Sequence, residues 1–176
     1  FGILDEINMA KNDAVSVLHA TLDYRRIIDV PGYEKIDLHP ATRFIGTMNY
    51  GYAGTKELNE ALVSRFLVIY MPALTEDTLS QIFHSAFPRL KQEAEKQFSG
   101  LFLDLQKKAD NSEISTKAID LRGMLAALKL IRGGLKPSLA VAMGITNKNF
   151  DLFEREMVED IVRTRIPESW SASEVF

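Results

Sequence analysis

Pro72 divides this sequence into two kinds of pattern. Ahead of it, short apolar stretches alternate with one helical period and with clusters of turn residues. Beyond it, starting at Thr75, the pattern reads helical, with breakers between the helices. A chain patterned this way cannot be one sheet or one bundle. It predicts an α/β part over residues 1–73 and an all-helical part over 74–176. At 176 residues it is long enough for one domain or two small ones, with a real core.

The first part begins as the tail of a buried strand, Phe1 to Leu4, followed by a helical period from Asn8 to about Leu22. Two alternating segments, R-R-I-I-D-V and Y-E-K-I-D-L, flank Pro31 and Gly32 and predict a β-hairpin. Thr42 to Thr47 is a further strand, leading into the glycine-rich stretch M-N-Y-G-Y-A-G-T, a loop. Glu57 to Ser64 reads as a short helix, and Phe66 to Tyr70 as a strand that Pro72 ends. In the second part Thr75 serves as an N-cap. The helices expected there are Glu76–Ala86, Arg89–Ala109, Leu121–Ile131, Ser138–Met143 and Phe150–Arg165.

Composition narrows the function classes. The net charge of -3 gives no electrostatic case for nucleic acid, so a nucleic-acid partner is not expected. With no cysteine, disulfides and thiolate metal sites are impossible, which suits a reducing, cytoplasmic setting. The longest apolar run, Phe66 to Leu74, is broken by Pro72 and far too short to span a bilayer, so no membrane insertion is expected. The three histidines are scattered without metal-ligand spacing.

The residues that point to chemistry lie mostly in the first part. The opening F-G-I-L-D-E-I-N places Asp5 and Glu6 directly after an apolar strand. Nucleotide hydrolases present two carboxylates to a magnesium-bound triphosphate in this way, the aspartate on the metal and the glutamate on the attacking water. No G-x-x-x-x-G-K-[ST] phosphate loop accompanies them in the 176 residues, and the start reads as truncated. Asn49 ends the Thr42–Thr47 strand, where an amide can hold a water. On local grounds a turn position ahead of Gly51 explains it as well. Arg65, between a helix end and an apolar strand, can cap the helix, make an ion pair or project across a subunit boundary toward a nucleotide. Arg122, in I-D-L-R-G-M-L, stands at a helix start, where anions are favoured. It either faces a phosphate there or is a solvated neighbour of an Asp120 N-cap.

The order of these segments is more specific than any one of them. F-G-I-L-D-E-I-N resembles the Walker B segment of AAA+ ATPases, F-I-G-T-M-N their sensor 1, and G-Y-A-G-T-K-E-L-N-E-A-L-V-S-R-F the stretch ending in the arginine finger. D-L-R-G-M-L-A-A resembles the sensor 2 helix of the lid. The hairpin ahead of sensor 1 is similar to the pre-sensor hairpin of the MoxR-like and dynein-related (midasin-type) branch. Two departures stand out: the P-loop half is absent from these residues, and Tyr50 replaces the proline that often follows the sensor Asn.

The resemblance implies a partial AAA+ P-loop NTPase core, with a parallel sheet and hairpin, followed by a helical lid. It implies ATP hydrolysis with Mg2+ in a homo-oligomeric ring, a hexamer in this family, that remodels a client protein. Asp5 would bind the metal, Glu6 would activate water, Asn49 would position it and Arg65 would act in trans. Arg122 would sense phosphate from the lid, with Lys117 in S-T-K-A-I its rival. An inactive assembly module and the motor of a DNA-translocating system are the alternatives. In such cores the P-loop strand separates the sensor 1 strand from the final one. Arg43–Thr47 and Phe66–Tyr70 are therefore expected not to pair, and to leave apolar edges open for association or for other residues.

Overall fold

The computed structural model describes residues 1–49 and 56–176. The chain forms two compact units, Phe1–Met71 and Pro72–Phe176.

In the first unit, β1 (Gly2–Leu4) pairs in parallel with β4 (Phe44–Gly46), Gly2 opposite Phe44 and Leu4 opposite Gly46. Gly2 lets the Phe44 ring lie close over the strand: a Cβ there would lie 2.6 Å from the ring, which would have to shift. Between these strands run α1 (Asn12–Leu22) and a hairpin of β2 (Ile27–Ile28) and β3 (Ile36–Asp37). The hairpin's turn has Pro31 followed by Gly32 at φ 85°, and the Tyr33 N–H donates to the Val30 carbonyl at 3.1 Å. Proline presets the first corner and glycine takes the left-handed second, as a type II turn requires.

Several expected elements come out shorter or not at all. The Thr42–Thr47 strand contracts to β4, and the helices expected from Arg89 and Phe150 begin at Gln92 and Leu152. Three others depart further. The helix expected from Asn8 begins at Asn12, because Ile7–Met9 forms a separate 3-10 turn and Ala10 is extended (ψ 147°). The helix expected over Glu57–Ser64 contracts to α2 (Glu60–Val63), since Asn59 caps it by accepting from the Ala61 N–H at 2.7 Å. Phe66–Tyr70 forms no strand. The side chains of Leu67 to Tyr70 are open to solvent, Leu67 at 96% exposure, and the segment pairs with no strand among the described residues. Apolar pattern alone does not make a strand when no ladder partner is present. Most of the expected M-N-Y-G-Y-A-G-T loop, with Tyr50, lies outside the described residues.

The second unit is helical throughout: α3 (Glu76–Ala86), α4 (Gln92–Asp110), α5 (Leu121–Arg132), α6 (Pro137–Gly144), α7 (Leu152–Arg165) and α8 (Ala172–Val175). Each start follows local chemistry. Thr75, Asp120 and Asp151 accept from the N–H groups of Thr78, Gly123 and Glu154, and Pro137 occupies the first turn of α6. In α4, Glu93 and Glu95 lie in the first turn and Lys107 and Lys108 in the last, matching the helix dipole. Its Ala94, Phe98, Leu101, Phe102 and Leu105 recur at helical spacing and enter a core shared with Phe83, Met124, Leu128 and Ile131. The terminal helix α8 went unanticipated, although Ser171 and Glu174 form a capping box that spells S-x-x-E.

Candidate active site

β1 ends at Leu4, and the chain turns sharply at Asp5 and Glu6. Glu6 adopts a left-handed backbone, φ 50° and ψ 43°, which a residue with a Cβ rarely takes. Such outliers persist only where the surroundings enforce them, and they concentrate at functional sites. The enforcing neighbour is Thr47, directly after β4. Its amide donates to the Leu4 carbonyl at 3.0 Å, and its carbonyl accepts from the Ile7 N–H at 3.0 Å. Its hydroxyl donates to Asp5 Oδ1 and accepts from the Glu6 N–H at 3.2 Å. Both carboxylates are exposed at the end of the parallel pair.

Asn49, two residues on, comes to the same end. Asn8 is 4% exposed and donates from Nδ2 to the Asn49 carbonyl at 3.2 Å and to the Lys56 carbonyl at 3.4 Å. A buried amide bonded to backbone on both sides of 50–55 ties down the strand exit that presents Asn49. The side chain of Asn49 is exposed. Asp5 and Glu6 follow β1 and Asn49 follows β4, and the parallel pairing sets these two strand ends side by side.

Arg65 is placed differently. It follows α2, and its Nη1 donates to the Ala61 carbonyl in the last turn of that helix. Its Nε is buried without a hydrogen-bond partner among the described residues. Nearby Asp23 is held below its ordinary carboxylate range, first by the hydrogen bond from the Arg25 side chain, with the Arg65 charge adding to the effect. In this conformation Arg65 acts as a helix-capping cation. Arg122 lies in the other unit, exposed in the first turn of α5, and Lys117 is exposed in a 3-10 turn over Thr116–Ala118.

The donor set limits what the site can hold. Among the described residues no three His, Asp or Glu side chains gather as a metal cage. Magnesium does not need one, because it keeps several waters and takes one or two carboxylates together with substrate phosphates. Asp5, one exposed carboxylate with a hydroxyl on Oδ1, fits a magnesium that arrives with a nucleotide.

Thr47 and Asn8 are the site residues that sequence reasoning missed. The signal for Asn8 was its place in I-N-M-A, a polar residue between apolar neighbours just after the two carboxylates. For Thr47 it was a hydroxyl at a strand exit whose partner lies 42 positions away, a pairing no local pattern encodes.

Residues 1–66 match the family model described as AAA domain (dynein-related subfamily). The match supports an AAA+ ATPase, and the small parallel sheet followed by helices is consistent with a partial core and a lid. Among relatives, uncharacterized protein YojN of Bacillus subtilis is 33% identical over 165 residues, 93% of this chain and 54% of that protein. An uncharacterized protein of Staphylococcus aureus is 35% identical over 129 residues, 73% of this chain and 49% of its own length. The chain thus spans about half the length of these relatives. Among the described residues no helix is long and apolar enough to cross a membrane.

Proposed function

We propose that residues 1–176 supply the water-activating half of the core and the lid of a MoxR-like ATPase. The phosphate-cradling loop would come from other residues of the protein. The observation that carries this reading is the Thr47 hydroxyl joining Asp5 to the Glu6 backbone at the end of a parallel strand pair. Two carboxylates so held suit the division of labour that nucleotide hydrolysis needs.

In this reading Asp5 holds Mg2+ through water, and the ion supplies charge neutralisation at the phosphates. Glu6 accepts a proton from the attacking water at its carboxylate, and Asn49 hydrogen-bonds that water from its amide. Arg65 leaves its α2 carbonyl and reaches a nucleotide held by the neighbouring subunit of a homo-oligomeric ring, a hexamer by family resemblance. Arg122 contacts phosphate from the lid, Lys117 being the alternative cation. The ring works in the cytoplasm on a client protein.

The test is Glu6→Gln in the native protein carrying these residues. The amide cannot take the proton, so ATP binding persists while turnover falls on the order of 10²–10⁴-fold. Turnover equal to wild type would remove Glu6 from this role. Absence of turnover in the wild type itself would leave an assembly module.

A further inference from the structure

We propose that Thr47 is the positioning residue for both carboxylates, an inference that rests on the hydrolytic reading of Glu6 above. Four hydrogen bonds converge on this one residue. Its backbone pairs with Leu4 and Ile7, continuing the β1–β4 ladder past the last strand residues. Its hydroxyl makes the other two bonds, to Asp5 Oδ1 and from the Glu6 N–H.

The direction of the hydroxyl bonds follows from their partners. An ionised carboxylate only accepts and a backbone amide only donates, so the single Oγ1 proton goes to Asp5 and a lone pair faces Glu6. Valine, of the same shape, makes neither bond. Serine makes both. The β-branched threonine adds a stiff χ1 that holds the oxygen in one place.

The two bonds do different work. The bond to Asp5 occupies Oδ1 and leaves the second oxygen for another partner. The bond from Glu6 supports a backbone conformation, φ 50°, that glutamate does not adopt by preference. Losing that support frees Glu6 to return to ordinary φ, which redirects its carboxylate. Thr47 therefore acts through Glu6 and Asp5, and its loss strikes kcat rather than KM.

The experiment compares Thr47→Val, Thr47→Ser and Glu6→Gln in the native protein carrying these residues, by amide hydrogen exchange and by steady-state ATP turnover. In Thr47→Val the Glu6 amide exchanges on the order of 10-fold faster. The Ile7 amide, bonded to the Thr47 carbonyl, keeps its wild-type rate. kcat falls on the order of 10²-fold with KM little changed, the cost of a displaced group. Thr47→Ser restores both readouts. A folded Thr47→Ser variant as slow as Thr47→Val overturns the inference, and so does wild-type kcat in Thr47→Val beside an inactive Glu6→Gln. That second result leaves the role of Glu6 standing. Full turnover in Glu6→Gln sinks the hydrolytic reading and this inference with it.

Discussion

A Cβ placed on Gly123 would lie 2.1 Å from the carbonyl oxygen of Gly144, and one placed on Gly144 would lie 2.5 Å from the carbonyl oxygen of Gly123. Helices α5 and α6 therefore cross backbone to backbone, at the turn of α5 that carries Arg122. Helix propensity favours alanine over glycine by roughly 1 kcal/mol in a helix interior. The crossing reverses that sign. Gly123→Ala and Gly144→Ala are each expected to destabilise the protein by about 1–3 kcal/mol or more, because the obstructing atoms are backbone and cannot rotate away. Urea unfolding of each variant measures it, and a stabilised alanine variant would mean that the helices can separate at no cost.

Asp120 supplies a pH dependence to the same corner. Burial by itself pushes its carboxyl up, but the hydrogen bond and charge of Lys148, together with the Gly123 N–H, outweigh burial and hold it below the ordinary value. A carboxyl depressed in the folded state contributes stability above its unfolded pKa of about 3.9 and loses that contribution as pH falls through the folded value. Asp120→Ala is expected to cost about 1 kcal/mol at neutral pH, chiefly through the lost cap. The gap from wild type should narrow as the pH is lowered below about 4. Denaturant melts at neutral pH and in acid check this, and a gap that widens in acid contradicts it.

Arg65 is bonded to the last turn of its own helix, so the trans role proposed for it demands a separate measurement. In the native protein, Arg65→Ala and Glu6→Gln subunits should each be nearly inactive alone. A mixture contains interfaces with an intact Glu6 on one side and an intact Arg65 on the other, and these recover activity. Arginine fingers supply about 10³–10⁵-fold in favourable cases. An Arg65→Ala protein that melts earlier yet turns over normally would reduce Arg65 to the helix cap seen here.

How far the site was legible depended on the range of each contact. Asp5 and Glu6 could be found because the strand before them and the two carboxylates are contiguous in sequence. Asn49 was marked by its place after a strand, but nothing local said that strand would lie beside β1. The same limit explains Phe66–Tyr70. Its residues have strand composition, yet a strand is a relation between segments, and among the described residues no other segment pairs with it.

Caps that act within one turn of backbone make the starts of α3 and α5 legible in the pattern. By contrast, α4 and α7 begin at Gln92 and Leu152 rather than at Arg89 and Phe150, and α8 is not anticipated at all. Thr75, Asp120, Asp151 and Pro137 each stop or start a helix through atoms no more than four residues away. The two carboxylates after the first apolar stretch are likewise contiguous and legible in the pattern. How those carboxylates are held is settled by contacts distant in sequence. The left-handed turn at Glu6 and the Thr47 hydroxyl between Asp5 and Glu6 depend on contacts 41 and 42 positions apart. So does the α5–α6 crossing through Gly123 and Gly144, on a smaller scale. Such contacts are chosen by which surfaces exclude one another in the folded unit, and a linear pattern holds no record of that choice.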